Sequence, residues 1–295
     1  MSHQHRRPVM ALAAALVAVG LCALPVTPAR AEAVPMTGAA AEQAARELSQ
    51  TLRIAEVMGV MRLEGLDYGA KLEAEMFPGQ GGPAWQMALE LIYDAPTMQR
   101  RFEAAFAREI GGDAAAIAAS QAFFSDARGQ TLLTLEIEAR RALLDEATEE
   151  AAKARAEDMA AQDDPRLALL KRFAEANDLI EANVQGALNA NLAFYRGLAE
   201  AGGLGEDMTE AQMLSDVWGQ EPEIRSETED WLYPFLALAY GPVEDRDLEA
   251  YIALSLTPAG KRLNVALFAA FDAVFGRVSF DLGRAAARQM LGEDI

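Results

Sequence analysis

Past residue 31 this chain contains neither cysteine nor histidine: its one cysteine is Cys22 and its two histidines are His3 and His5. That absence removes cysteine nucleophiles, serine-histidine-aspartate triads, disulfides and the usual thiolate or imidazole zinc sites from the rest of the sequence. Stability there must come from packing. Basic residues are also scarce, 26 Lys and Arg against 45 Asp and Glu, for a formal charge of −19. A nucleic acid or an anionic lipid surface is a poor partner for such a chain. Runs of β-branched residues are few, which argues against sheet, and after the N-terminal segment no apolar run reads as long and uninterrupted enough for a membrane helix.

The N-terminal segment has its own pattern. Arg6 and Arg7 precede an apolar run from Met10 to Val26, and Ala29-Arg30-Ala31 supplies small residues at the positions a signal peptidase reads. Residues 1–31 are therefore expected to be a cleaved secretory signal, with the mature chain starting at Glu32 in the periplasm or outside the cell. Leu21 before Cys22 argues against lipoprotein processing, and the residues around the Arg pair do not complete a twin-arginine signal. Losing Arg6, Arg7 and Arg30 would take the formal charge from −19 to −22.

Residues 32–40 lack apolar periodicity and are expected to be a flexible lead. From Ala41 onward the chain is rich in Ala, Leu, Glu and Arg, so we expect an all-α protein. Two stretches suggest how it is organised. FFSDARGQTL (123–132) and LSLTPAGKRL (254–263) superpose with a shift of 131, matching Asp126 to Thr257, Ala127 to Pro258, Gly129 to Gly260 and Leu132 to Leu263. Asp126 and Thr257 are N-cap residues, and Pro258 fits the first helical position, where no backbone N–H is needed. A glycine in the first turn costs about 1 kcal/mol of helix propensity, so Gly129 and Gly260 are expected to serve close packing against the preceding helix.

The correspondence extends outward. Leu263, Leu267, Phe271, Val274, Val278 and Leu282 form a helical stripe, as do Leu132, Leu135, Ala139, Leu143 and Ala147. The first of these two long helices is expected to run on through the charged stretch 145–164. Residues 52–77 and 170–195 each read as one long helix followed by a glycine-rich break, at 78–82 and 201–205. We expect a duplicated helical unit of roughly 110 to 130 residues, the first copy at 41–163 and the second at 164–295, with Asp164-Pro165 as the boundary.

These junctions resemble those of a bacterial family of exported all-helical domains catalogued as domain of unknown function 2059, whose pattern runs aromatic, aromatic, any residue, Ser/Thr, Pro, any residue, Gly, Gln/Lys. Thr257-Pro258-Ala259-Gly260-Lys261 keeps the core of it with Leu254 and Ser255 in place of the aromatics. Phe123-Phe124 keeps the aromatics with Asp126-Ala127 in place of Ser/Thr-Pro. The resemblance implies an exported helical domain and brings no catalytic residues, because the family has no assigned activity.

Candidate chemistry is sparse. Glu136 and Glu138 are two apart on one helix and cannot face each other across a cleft, so Glu136 is expected at the surface. The acids of QDDP (162–165) and EDRDLE (244–249) lack the spacing of a calcium loop and read as helix caps. Trp85, Trp218 and Trp231 are expected to plug the bundle. Of Asn177, Asn183, Gln185, Asn189 and Asn191, most are expected to face solvent. Phe268, Phe271, Phe275 and Phe280 crowd one helix and read as shared core or as an apolar groove for a lipid or partner helix. The functional expectation is a non-catalytic, cofactor-free interaction or binding module at the cell envelope, partnered by an envelope protein or an apolar small molecule. A carrier or chaperone for an apolar ligand is second, and a carboxylate-dependent hydrolase third.

Overall fold

The structure, a computed structural model, describes residues 38–205 and 208–292. The expected signal and most of the expected lead lie outside the described residues. All regular structure among the described residues is helical: Gly38–Thr51 (α1), Ile54–Met76 (α2), Gly82–Ile92 (α3), Ala95–Ile110 (α4), Ala114–Phe124 (α5), Ala127–Ala142 (α6), Glu146–Ala161 (α7), Pro165–Ala176 (α8), Leu179–Glu200 (α9), Glu210–Trp218 (α10), Glu221–Tyr240 (α11), Asp245–Ser255 (α12) and Pro258–Leu291 (α13). The protein is all-α. Because α1 begins at Gly38, the end of the expected lead, residues 38–40, is already helix.

Side-chain caps set many of these helix starts. Asp94, Asp113, Asp126, Asp145, Asp164 and Thr257 each accept a backbone N–H from the first turn, and Thr209 forms a full capping box with Gln212. The cap at Asp145 corrects the expected long first helix: α6 ends at Ala142, and the charged stretch is a separate helix, α7. The expected single helix over 170–195 is likewise two. It breaks at Asp178, whose backbone is left-handed with φ 53°, and Arg53 with φ 56° makes the matching joint between α1 and α2.

At the two junctions the glycines lie hard against the preceding helix. A Cβ on Gly129 would sit 2.4 Å from the Phe123 carbonyl oxygen, and one on Gly260 would sit 2.1 Å from that of Leu254. Replacing Gly260 with leucine is expected to cost about 2 kcal/mol through overpacking and to lower the melting temperature by about 4–8 °C. Calorimetry that finds the variant melting with the parent would remove this packing role.

Helix α7 divides the chain into two passes of six helices, α1–α6 and α8–α13. Within the first pass α1 packs on α5, α2 on α4 and α2 on α6; within the second α8 packs on α12, α9 on α11 and α9 on α13. Between the passes the contacts cross over, α4 against α13 and α11 against α6. One hydrophobic core therefore continues across Asp164, taking in Leu48, Phe102 and Phe124 from one side and Leu248, Tyr251 and Phe271 from the other.

Helix α13 is the centre of this core. Contrary to the expectation from the sequence, it is long and apolar enough by length and composition to cross a membrane. Most of its apolar residues, Leu263, Leu267, Phe271, Val274, Val278 and Leu282 among them, are instead buried in the core, and the helix packs against α4, α5, α9 and α12. The closest approach is with α9, where Gly197 and Gly283 each face the other helix's backbone: a Cβ on Gly197 would lie 2.1 Å from the Phe280 carbonyl oxygen, and one on Gly283 would lie 2.2 Å from that of Phe194.

Candidate functional site

Two hollows flank α13, and they differ in size and chemistry. The first lies between α9 and α13, where Phe268, Phe271 and Phe275 meet Gln185, Asn189 and Asp272 around about 210 Å³. Three of the four phenylalanines of the expected groove gather here. Phe280 does not: its ring lies between the guanidinium groups of Arg277 and Arg284, at 5.5 and 6.0 Å. A space this small falls below the roughly 300–1,000 Å³ of typical ligand sites.

The second hollow, about 620 Å³, lies within that range. One wall is α2, which presents Met61, Glu64, Asp67, Tyr68 and Lys71; the other is the joint between α6 and α7, with Arg140, Leu143, Leu144, Glu146 and Glu149. Tyr93, Trp231 and Phe275 complete it. The break after α6, which the periodicity of the sequence hides, is what turns Leu143 and Leu144 toward α2 and opens this cleft. A hollow of about 710 Å³ between α1 and α4 is lined by Arg, Glu, Ala and Gly and borders the start of the described chain at Gly38.

Each wall of the 620 Å³ cleft has an identifiable cause. Gly65 lets Tyr93 lie flat on α2, since a Cβ there would be 2.1 Å from the tyrosine ring. One turn on, Gly69 accepts Leu89, and its carbonyl oxygen takes a hydrogen bond from the Trp85 indole N–H at 3.1 Å. Trp85 is thus a buried plug, as expected. Trp231 stacks on Phe235 at 5.0 Å while lining the cleft, and Trp218 is 56% exposed, so neither is the plug the sequence suggested. Arg140, 7% exposed, donates a forked pair of hydrogen bonds to Glu64 at 2.6 and 2.7 Å.

Tyr93 is 1% exposed, and neither its hydroxyl nor the buried hydroxyl of Tyr68 has a hydrogen-bond partner among the described residues. Burial pushes both phenols further up from their ordinary range, so both are neutral and able to donate or accept. At the rim Lys71 donates to Asp67 at 2.7 Å. Its ammonium is held above the usual range first by that hydrogen bond and then by the charges of Asp67, Glu149 and Glu146.

The two hollows occupy corresponding places in the two passes. Laying α2 on α9 from their left-handed joints, and α6 on α13 from their caps, matches Glu64 to Asn189, Gly65 to Ala190, Arg140 to Phe271 and Leu144 to Phe275. The ion pair of one is replaced by a phenylalanine and an amide in the other, where Asn189 donates to Asp272 at 2.9 Å.

Glu136 corrects the sequence reading outright. It is 3% exposed, and its Oε1 accepts hydrogen bonds from the Tyr240 hydroxyl at 2.5 Å and the Tyr251 hydroxyl at 2.7 Å. Its Oε2 has no partner among the described residues. Burial raises its pKa to about 7, against the opposing effect of the two phenol hydrogen bonds. Glu138, two residues on, is exposed. The matching position in α13 is Leu267, so packing alone does not call for an acid there.

The amides also depart from expectation. Asn177, Asn183 and Asn191 are buried, and only Gln185 of the five is exposed. Asn264 donates to Asn177 at 2.7 Å, and Asn177 to the Phe173 carbonyl at 2.8 Å, which pins the α8–α9 joint to α13. Gln130 does the same for the α1–α2 joint, donating to the carbonyls of Thr51 and Phe124 at 3.0 and 2.7 Å. Among the acids expected as caps, Asp164 is one, whereas Asp245 and Asp247 pair with Arg166 and Arg128.

No family profile matches this chain, and neither a curated protein nor a solved structure matches it.

Proposed function

We propose that this chain is an exported, non-catalytic binding protein, built from two diverged copies of a six-helix unit, that holds a small molecule in the cleft between α2 and the α6–α7 joint. The observation that carries the reading is the pair of buried, unpartnered hydroxyls of Tyr68 and Tyr93 in the wall of a 620 Å³ cleft. Buried polar groups are ordinarily satisfied, and a ligand would satisfy these two.

Several features support the rest. The N-terminal pattern and the likeness of the junctions to an exported helical family support export. The repeated helix order, the paired left-handed joints and the reciprocal packing of α4 on α13 and α11 on α6 support duplication. The non-catalytic reading rests on Glu136, the acid with the most displaced proton affinity: it lies in the core and does not line the cleft.

Native mass spectrometry of protein purified from its own periplasm tests this. The expected result is a stoichiometric small-molecule adduct that disappears in a Tyr93→Phe, Trp231→Ala double variant. An adduct that survives both changes would place the ligand elsewhere, and a bound protein without an adduct would favour an interaction module.

A further inference from the structure

From the charge and the rings of the cleft we infer that its ligand is an organic cation, an amine carried on an apolar body. The inference rests on the binding reading above. Tyr68 and Trp231, both half-buried, offer aromatic surface, with the buried rings of Tyr93 and Phe275 in the wall behind them. Such faces are negative and attract ammonium groups, tryptophan most strongly. Phe235 covers one face of Trp231 in a stack tilted by only 10°, and the half-buried indole lines the cleft.

The ionisable groups point the same way. Glu64, Asp67, Glu146 and Glu149 outnumber Lys71 and Arg140 around the cleft by two formal charges, one of which Lys153 offsets from outside the lining by pairing with Glu149 at 2.7 Å. Arg140, the most buried cation, is held in a forked bond by Glu64. The acids therefore dominate the field that an incoming group meets. Lys71 already samples that field, since Asp67, Glu149 and Glu146 all favour its charged form. In the wall, the buried Tyr93 and Tyr68 hydroxyls keep lone pairs that an amine N–H can use once a ligand displaces the side chains covering them, and Met61, Leu143 and Leu144 offer an apolar floor for the body of the molecule.

Calorimetric titration with phenylbutylamine, phenylbutyrate and phenylbutanol tests this, because the three share one body and differ in charge. The amine is expected to bind about tenfold tighter than the carboxylate, a difference of about 1.4 kcal/mol. A Glu146→Gln, Glu149→Gln double variant should weaken the amine by about fivefold and leave the alcohol unchanged, as the loss of two charges at the rim requires. Trp231→Ala, checked for folding by its melting curve, should weaken all three.

Carboxylate or alcohol binding that equals or exceeds that of the amine, and that is lost in Trp231→Ala, would overturn the cationic class while leaving the cleft as the site. Failure of all three to bind, or binding indifferent to Trp231→Ala, would overturn the cleft reading and this inference with it.

Discussion

Replacing Gly197 with alanine should destabilise the protein by about 3 kcal/mol or more, while the same replacement at Gly186, on the same helix, should stabilise it by about 0.5–1 kcal/mol. Alanine is the better helix former at both sites. The difference lies in what the added methyl meets. At Gly197 it is the Phe280 carbonyl oxygen, 2.1 Å away and fixed in the backbone of α13; at Gly186 nothing lies within 4 Å. No rotamer change can relieve a clash with backbone, so α9 and α13 must separate along the contact at the centre of the core.

Gly283 makes the reciprocal contact with the Phe194 carbonyl, and this leads to a second expectation. One separation of the helices relieves both clashes, so a Gly197→Ala, Gly283→Ala double variant should cost less than the two single variants together. Urea denaturation of the parent, the three single variants and the double variant decides the matter. A gain at Gly197 like that at Gly186, or only a mild loss, would mean that the two helices are not held at this distance in solution.

Glu136→Gln should leave stability nearly unchanged at pH 4 and raise it by about 3 kcal/mol at pH 8. The folded carboxyl has a pKa of about 7, above the ordinary carboxylate value of 4.5 that applies when the chain is unfolded. Between those values the folded state binds more protons than the unfolded one. The stability that Glu136 contributes is therefore fully present below about pH 4.5 and is lost as pH rises through about 7. Glutamine keeps an oxygen for the Tyr240 and Tyr251 hydroxyls and carries no proton to lose. Denaturation midpoints for both proteins at the two pH values would show this, and a wild type that weakens with pH no more than the variant would place Glu136 in contact with water.

Much of the fold was legible because its signals are local. Asp126, Asp164 and Thr257 cap helices in the structure, and cap chemistry involves only a residue and the turn that follows it. The same holds for Pro258 at its first helical position and for the crowding at Gly129 and Gly260, where each glycine meets the end of the helix just before it. Even the missed breaks had local signs: Asp145 caps α7 as Asp126 caps α6, yet an apolar stripe continuing through Leu143 and Ala147 hid it.

What the sequence determined by itself was an all-helical chain without thiol or imidazole chemistry past residue 31, and the two capped junctions. Tertiary structure alone decided which polar groups are buried. The spacing of Glu136 and Glu138 correctly separates their directions on α6, but only the arrival of Tyr240 and Tyr251 from helices more than a hundred residues away makes one of those directions the core. The cleft arose in the same way, since Tyr93, Trp231 and Phe275 come to α2 and the α6–α7 joint from distant parts of the chain. Capping is settled within a turn, whereas burial depends on which elements pack across a face, and helical periodicity shows that a face exists without showing what will cover it.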